Sequence, residues 1–175
     1  MQSGNSEEAG QSTMLPAVTG PGVTVTLNDS SMWRSAVDSS GSTADIDKYV
    51  VHQQDVEAVV DALWAGGAES MQIMDQRVLF NSAVRCSGNV LLLQGKKYSP
   101  PFKISAIGPV EGMRKALDDS EEVSIYKQYV SAFGLGWQVD EKTKLHFDAT
   151  DALQQPLQYA KALENDKNGE SQEGK

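Results

Sequence analysis

The residues best suited to chemistry lie in one stretch. Asp75, Gln76 and Arg77 are followed by Asn81 and Ser82, then Arg85, then Ser87, Gly88 and Asn89, so nine polar or turn-forming residues fall within fifteen positions. Two are arginines, in a chain with 15 Lys and Arg against 24 Asp and Glu and a formal net charge of −9. An arginine fork matches the oxygens of a carboxylate or phosphate, or a partner's backbone carbonyls. The same groups can instead satisfy one another and hold an irregular connection between strands. Residue types alone leave both readings open.

Other constellations are weaker. Nucleophilic catalysis needs a Ser or Cys, a base and an orienting acid. His52, Asp55 and Ser82 are the right types, but no spacing selects them, and Ser82 lacks a G-x-S-x-G elbow. His52 stands three residues before Asp55 at the start of a helical pattern, where the pair suits a helix cap. Cys86 follows Arg85, a neighbour able to lower a thiol pKa. Strand alternation sends those two side chains to opposite faces, so Cys86 reads as a small buried hydrophobe. His52 and His146 are the two histidines, and neither sits in a ligand-spaced motif. Asp118-Asp119 with Glu121-Glu122 lacks the spacing and glycine of an EF-hand loop. Gly134-Leu135-Gly136 sits at a helix end and suits a C-cap better than a dinucleotide loop. No catalytic residue, metal or cofactor is expected.

Composition bounds the partners. The acidic balance argues against nucleic acid and against anionic lipid, which want clustered Lys and Arg. One Cys cannot build a disulfide framework. No run of about 18 apolar residues is present. Hydrophobic residues make up 39%, below the roughly 45–50% of globular chains, a norm that also counts Gly. The deficit fits an ordinary core diluted by polar ends. Residues 1–15 and 164–175 are accordingly expected to be disordered tails flanking one domain over 16–163. The polar start, with no leader pattern, fits a piece of a longer chain.

The elements that position these residues follow from spacing. Gly20-Pro21-Gly22 reads as a turn that launches a strand, Val23–Leu27, alternating with period two. Ser30–Lys48 is a long polar loop, with Trp33 expected to pin it to the core. Val56, Val59, Val60, Leu63 and Trp64 form one helical face, stopped by Gly66-Gly67. A hairpin is expected from Ser70–Met74 and Val78–Phe80, then strands at 83–86, 89–94 and 102–107. Val90–Leu93 is a continuous apolar run suited to a sheet interior. Pro109 and Ser120 start two helices, with apolar faces Val110, Met113, Leu117 and Val123, Tyr126, Val130, Phe133. A closing hairpin is expected from Trp137–Val139 and Lys144–Phe147 around Asp140-Glu141-Lys142. Strand–helix crossings in this order predict an α+β fold, a plait.

The segments VVHQQDVEAVVDALWAGGAESMQIMDQRV (50–78), SAVRCSGNVLLLQG (82–95) and SPPFKISAIG (99–108), preceded by GPGVTVTLNDS (20–30), carry a resemblance. Together they resemble the domain of unknown function 881 family, the YlxW-like membrane-anchored proteins of Gram-positive bacteria. The match runs from about Val18 to Phe147. The resemblance implies a ferredoxin-like α-β plait, with a mostly antiparallel sheet and helices packed on one face. It implies a preceding membrane-spanning helix and coiled coil, a place outside the cytoplasm, and no established enzymatic activity. Family genes often lie among cell-division and envelope genes.

His52, Asp55, Gln76, Arg77, Ser82, Arg85 and Asn89 fall on the family's motif positions and form the candidate binding set. The family often has Asn where this chain has Asp75. The expectation is a non-enzymatic interaction or scaffold domain of the cell envelope, linked to division or wall assembly. Its partners would be envelope or division proteins. A coiled coil would make the full-length protein a homodimer. Membrane contact would come only through an N-terminal anchor outside this chain. The alternative is a small-ligand sensing module, with an anion at Arg77, Arg85 and Asn89.

Overall fold

In the computed structural model, which describes residues 14–35 and 43–151, apolar residues at period two become strands and those at period 3.6 become helices. Strand β1 (Met14–Leu15) pairs antiparallel with β10 (Thr150–Asp151) in a unit apart from the second unit, residues 16–149. In that second unit, β2 (Val18–Asn28) is followed by a 3-10 segment (Thr43–Tyr49) and helix α1 (Gln53–Ala65). Next come β3 (Ser70–Ile73), β4 (Gln76–Val78), β5 (Arg85–Ser87), β6 (Val90–Leu93) and β7 (Lys96–Tyr98). β8 (Phe102–Ile107), α2 (Val110–Asp119), α3 (Glu121–Phe133) and β9 (Gly136–Phe147) complete it.

A five-stranded sheet runs in the order β4-β3-β8-β2-β9, with every pair antiparallel. Taken in chain order, β2, α1, β3, β8, α2–α3 and β9 give the β-α-β-β-α-β plan of a ferredoxin-like plait. The β3–β8 connection is the departure from that plan. It adds β4 to the sheet edge and builds a separate three-stranded sheet, β5-β6-β7.

One sheet face is apolar. Val23, Val25 and Leu27 stand opposite Ala106, Ile104 and Phe102, and Met71 and Ile73 extend the layer on β3. Val56, Val59 and Leu63 of α1, Met113 and Leu117 of α2, and Val123 and Tyr126 of α3 join the same buried cluster. The other face is polar, with Thr24 and Ser105 hydroxyls hydrogen-bonded at 2.9 Å. Helix ends follow local chemistry. The Ser120 hydroxyl accepts from Val123 N–H at 3.2 Å, and Gly134 takes the left-handed conformation, φ 74°, that ends α3.

Three expectations are corrected. Gly20-Pro21-Gly22 is no turn but lies within β2, at a bulge where Gly20 faces Leu145 and Gly22 faces Lys142. The closing hairpin is instead one strand, β9. Asp140, Glu141 and Lys142 look like a turn locally, but β2 offers them ladder partners at Thr24, Val23 and Gly22, and pairing overrides composition. Trp33 is 39% exposed and is not among the core residues. Val90–Leu93 alternates despite its uniform composition. It is the middle strand of the small sheet, with Leu91 and Leu93 buried and Leu92 exposed. The long loop's residues 36–42, residues 1–13 of the expected tail at 1–15, residues 152–163 of the expected domain and all of the expected tail at 164–175 lie outside the described residues, whereas residues 14–15 of the first tail form β1.

Candidate functional site

The candidate residues do not converge on one point. They separate into a junction at the start of α1, a strap at β4, and an outward surface on the small sheet.

The junction forms where β2 ends, α1 begins and the β5–β6 turn arrives. Asp29 organises it. Its carboxylate accepts from Val51 N–H at 2.9 Å and from Asn89 Nδ2 at 3.3 Å. His52 is the N-cap of α1, in extended conformation. Asp55 reaches back and accepts from His52 N–H at 2.7 Å, with His52 Nδ1 at 3.6 Å. The neighbouring Gln53 accepts from Cys86 N–H at 3.2 Å and donates to Glu57 at 2.8 Å. These bonds tie the small sheet to the helix start and leave the groups mutually satisfied. Burial pushes the Cys86 thiol up, and Glu57 and Asp55 push it further, away from the thiolate a nucleophile needs.

Burial is also the largest influence on Asp55, and it raises the carboxyl above its usual 3.8, against the pull of His52. The folded state thus holds this proton more tightly than the unfolded chain does. Its stabilising contribution is full below 3.8 and is lost as pH rises through the raised value. Asp55→Asn keeps an acceptor oxygen for His52 N–H and removes the buried charge. It is expected to be neutral or stabilising at pH 7 and to flatten that acid-range dependence. Asp55→Ala removes the cap and is expected to cost about 1 kcal/mol. Urea unfolding of the three proteins at pH 4 and pH 7 checks both; equal losses for Asn and Ala would refute the capping role.

The strap is Arg77. Its Nη1 donates to the carbonyls of Pro16 at 3.1 Å and Asp148 at 3.0 Å, and the guanidinium lies 5.7 Å from the Phe147 ring centre. Arg77 therefore holds the leading segment of β2 and the trailing end of β9 to strand β4. Its Nε is buried without a partner, and burial lowers its pKa. Its own carbonyl accepts from Gln94 Nε2 at 3.1 Å. Gln76 lies beside the Tyr98 hydroxyl, which donates to Asp75. That bond, helped by Lys96, holds the Asp75 carboxyl below its usual range.

Ser82 closes its own turn. It accepts from Leu79 N–H at 2.8 Å and donates its N–H to the Leu79 carbonyl at 2.9 Å. Arg85 is exposed and stands on β5 directly opposite Leu92, which in turn stands opposite Lys97 on β7. The two arginines thus have different surroundings. Among the described residues no three His, Cys, Asp or Glu gather as a metal site, and no helix is long and apolar enough to cross a membrane. Sequence reading missed Asp29, Gln53, Leu92 and Lys97. Period-two reading of Val90–Leu93 would have brought out Leu92, whereas Asp29 stands 60 residues from Asn89, the partner that gives it a role.

The comparisons with known proteins agree with this architecture. The model of the family described as "Bacterial protein of unknown function (DUF881)" matches residues 5–161. The chain is similar to UPF0749 protein Rv1823 of Mycobacterium tuberculosis, 29% identical over 123 residues, 70% of this chain and 40% of that protein. It is similar to UPF0749 protein YlxW of Bacillus subtilis, 31% identical over 101 residues, 58% of this chain and 41% of that protein. The chain thus spans about 40% of the length of these curated relatives. A crystal structure of an uncharacterized conserved protein from Mycobacterium tuberculosis superposes with a TM-score of 0.60 at 25% identity, covering 85% of this chain and 92% of that one. With its family model matched along nearly its whole length and a plait built from the matching segments, the chain belongs to the DUF881 family of bacterial proteins of unknown function.

Proposed function

We propose that this is a non-enzymatic interaction domain of a bacterial envelope protein, acting outside the cytoplasm as a scaffold in cell division or wall assembly. The observation that carries the reading is an outward apolar strip on α3. Ile125 and Tyr129, one turn apart, are 47% and 41% exposed, and Tyr129 continues into Phe133 at a ring distance of 5.5 Å. Tyr49 packs on the same Phe133 ring, again at 5.5 Å. Exposed apolar residues spaced i, i+4 are what a helix presents to a partner protein's groove. The partners of this strip would be envelope or division proteins.

Site-specific photocrosslinking in the host tests this. A benzophenone side chain at Tyr129 of the full-length protein should give adducts with division or wall-synthesis proteins. The same probe at Gln138, exposed on β9, should not. Identical adducts from both positions, or none from Tyr129, would overturn the scaffold reading.

A further inference from the structure

We propose that the β4–β7 insertion is a docking surface for an anionic phospholipid bilayer. This goes beyond the scaffold reading and stands on a different surface. Whole-chain charge argues against such a partner, but the charge is unevenly distributed. Residues 74–101 carry two arginines and two lysines against one aspartate, net +3, whereas the remainder has 11 basic and 23 acidic residues, net −12. A cationic module on an anionic body is oriented by a negative surface. Repulsion of the body fades beyond a Debye length of about 8–10 Å, while the insertion's own charges sit at the contact.

The insertion presents its cations together with apolar groups. Arg85, Leu92 and Lys97 are exposed and form one cross-strand row over β5, β6 and β7. Adjacent strands lie about 4.8 Å apart, so the two cations flank the leucine at roughly 10 Å from each other. Neither Arg85 nor Lys97 has a polar partner among the described residues. Lys96 is exposed as well, but it stands opposite Leu93 on the other face of the small sheet, paired with Asp75 at 3.4 Å in a solvated ion pair, so the row's cations are Arg85 and Lys97. The turn between β4 and β5 exposes Phe80 at 83% and Leu79 at 40%. Ser82 closes that turn through both its hydroxyl and its N–H, so the two apolar side chains are held outward on an ordered support.

Cations for headgroup phosphates, with apolar side chains for the headgroup–acyl boundary, are the two components of interfacial binding. Few cations on so apolar a surface fit a bilayer better than the phosphate track of a nucleic acid.

Co-flotation with vesicles of about one third phosphatidylglycerol in phosphatidylcholine tests this at about 0.1 M salt, where that Debye length holds. The chain should bind these vesicles, leave pure phosphatidylcholine vesicles unbound, and be released by high salt. Arg85→Gln and Lys97→Gln should each lower partitioning about fivefold, and Phe80→Ser about tenfold. Lys144→Gln on β9 should leave it unchanged. All four positions are exposed, and circular dichroism verifies that the variants fold. No binding to the anionic vesicles, or equal losses from Lys144→Gln and Lys97→Gln, would overturn the proposal. So would equal binding to soluble polyglutamate that survives Phe80→Ser, since that would place an acidic protein on this surface. Failure here leaves the Tyr129 crosslinking result untouched, and the converse holds.

Discussion

Gly22→Ala is expected to cost at least about 3 kcal/mol, the upper end of ordinary overpacking losses. A Cβ at this position would lie 1.9 Å from the Ala106 carbonyl oxygen, 2.9 Å from its carbon and 2.8 Å from Leu145 Cδ1. Two of these three atoms are backbone and cannot swing aside. Gly22 is paired on both sides, with Ile107 of β8 and Lys142 of β9, so relief requires parting the centre of the sheet. At about 4 °C per kcal/mol, the melting midpoint should fall by about 10 °C or more. Gly88→Ala is the contrast. It meets no atom within 4 Å, and only its φ of 62° opposes a side chain, at about 1–2 kcal/mol. A Gly22→Ala protein melting within about 2 °C of wild type would mean that β2 and β8 are not packed this closely.

Arg77→Ala is expected to destabilise by about 1–2 kcal/mol, and Arg85→Ala by less than about 0.5 kcal/mol. Arg77 loses two charge-assisted hydrogen bonds to backbone carbonyls and its place over Phe147. The figure stays below the full worth of two such bonds because Pro16 and Asp148 are exposed and their carbonyls can rehydrate. Arg77→Lys should recover only part of the loss, since a single ammonium cannot reproduce the planar fork. Urea midpoints for the three variants decide the matter. Equal, small losses at both arginines would mean that Arg77 does not strap β2 and β9 to the sheet edge. The asymmetry also bears on binding experiments: an Arg77 variant confounds stability with recognition, whereas an Arg85 variant isolates recognition.

How much of this was legible in the chain depends on the range of the interaction. The α1 face, the Ser120 cap, the Gly134 stop and the His52–Asp55 pair all join residues within a few positions of one another. Local spacing is sufficient for these, because a helix turn brings i, i+3 and i+4 together wherever it forms. The plait order was also readable, since alternating strand and helix patterns leave few connections that bury both apolar faces.

What remained was decided at long range. Asp140-Glu141-Lys142 has the composition of a turn and became strand because β2, more than a hundred residues earlier, supplied ladder partners. Gly20-Pro21-Gly22 looked like a turn for the same local reason and became the bulge that matches β9. Arg77 and Arg85 are the same residue type eight positions apart. Arg77 holds carbonyls 61 and 71 residues away, and Arg85 faces solvent. A hydrogen bond needs a partner within about 3 Å, and only the folded chain brings such a partner to one arginine and not the other.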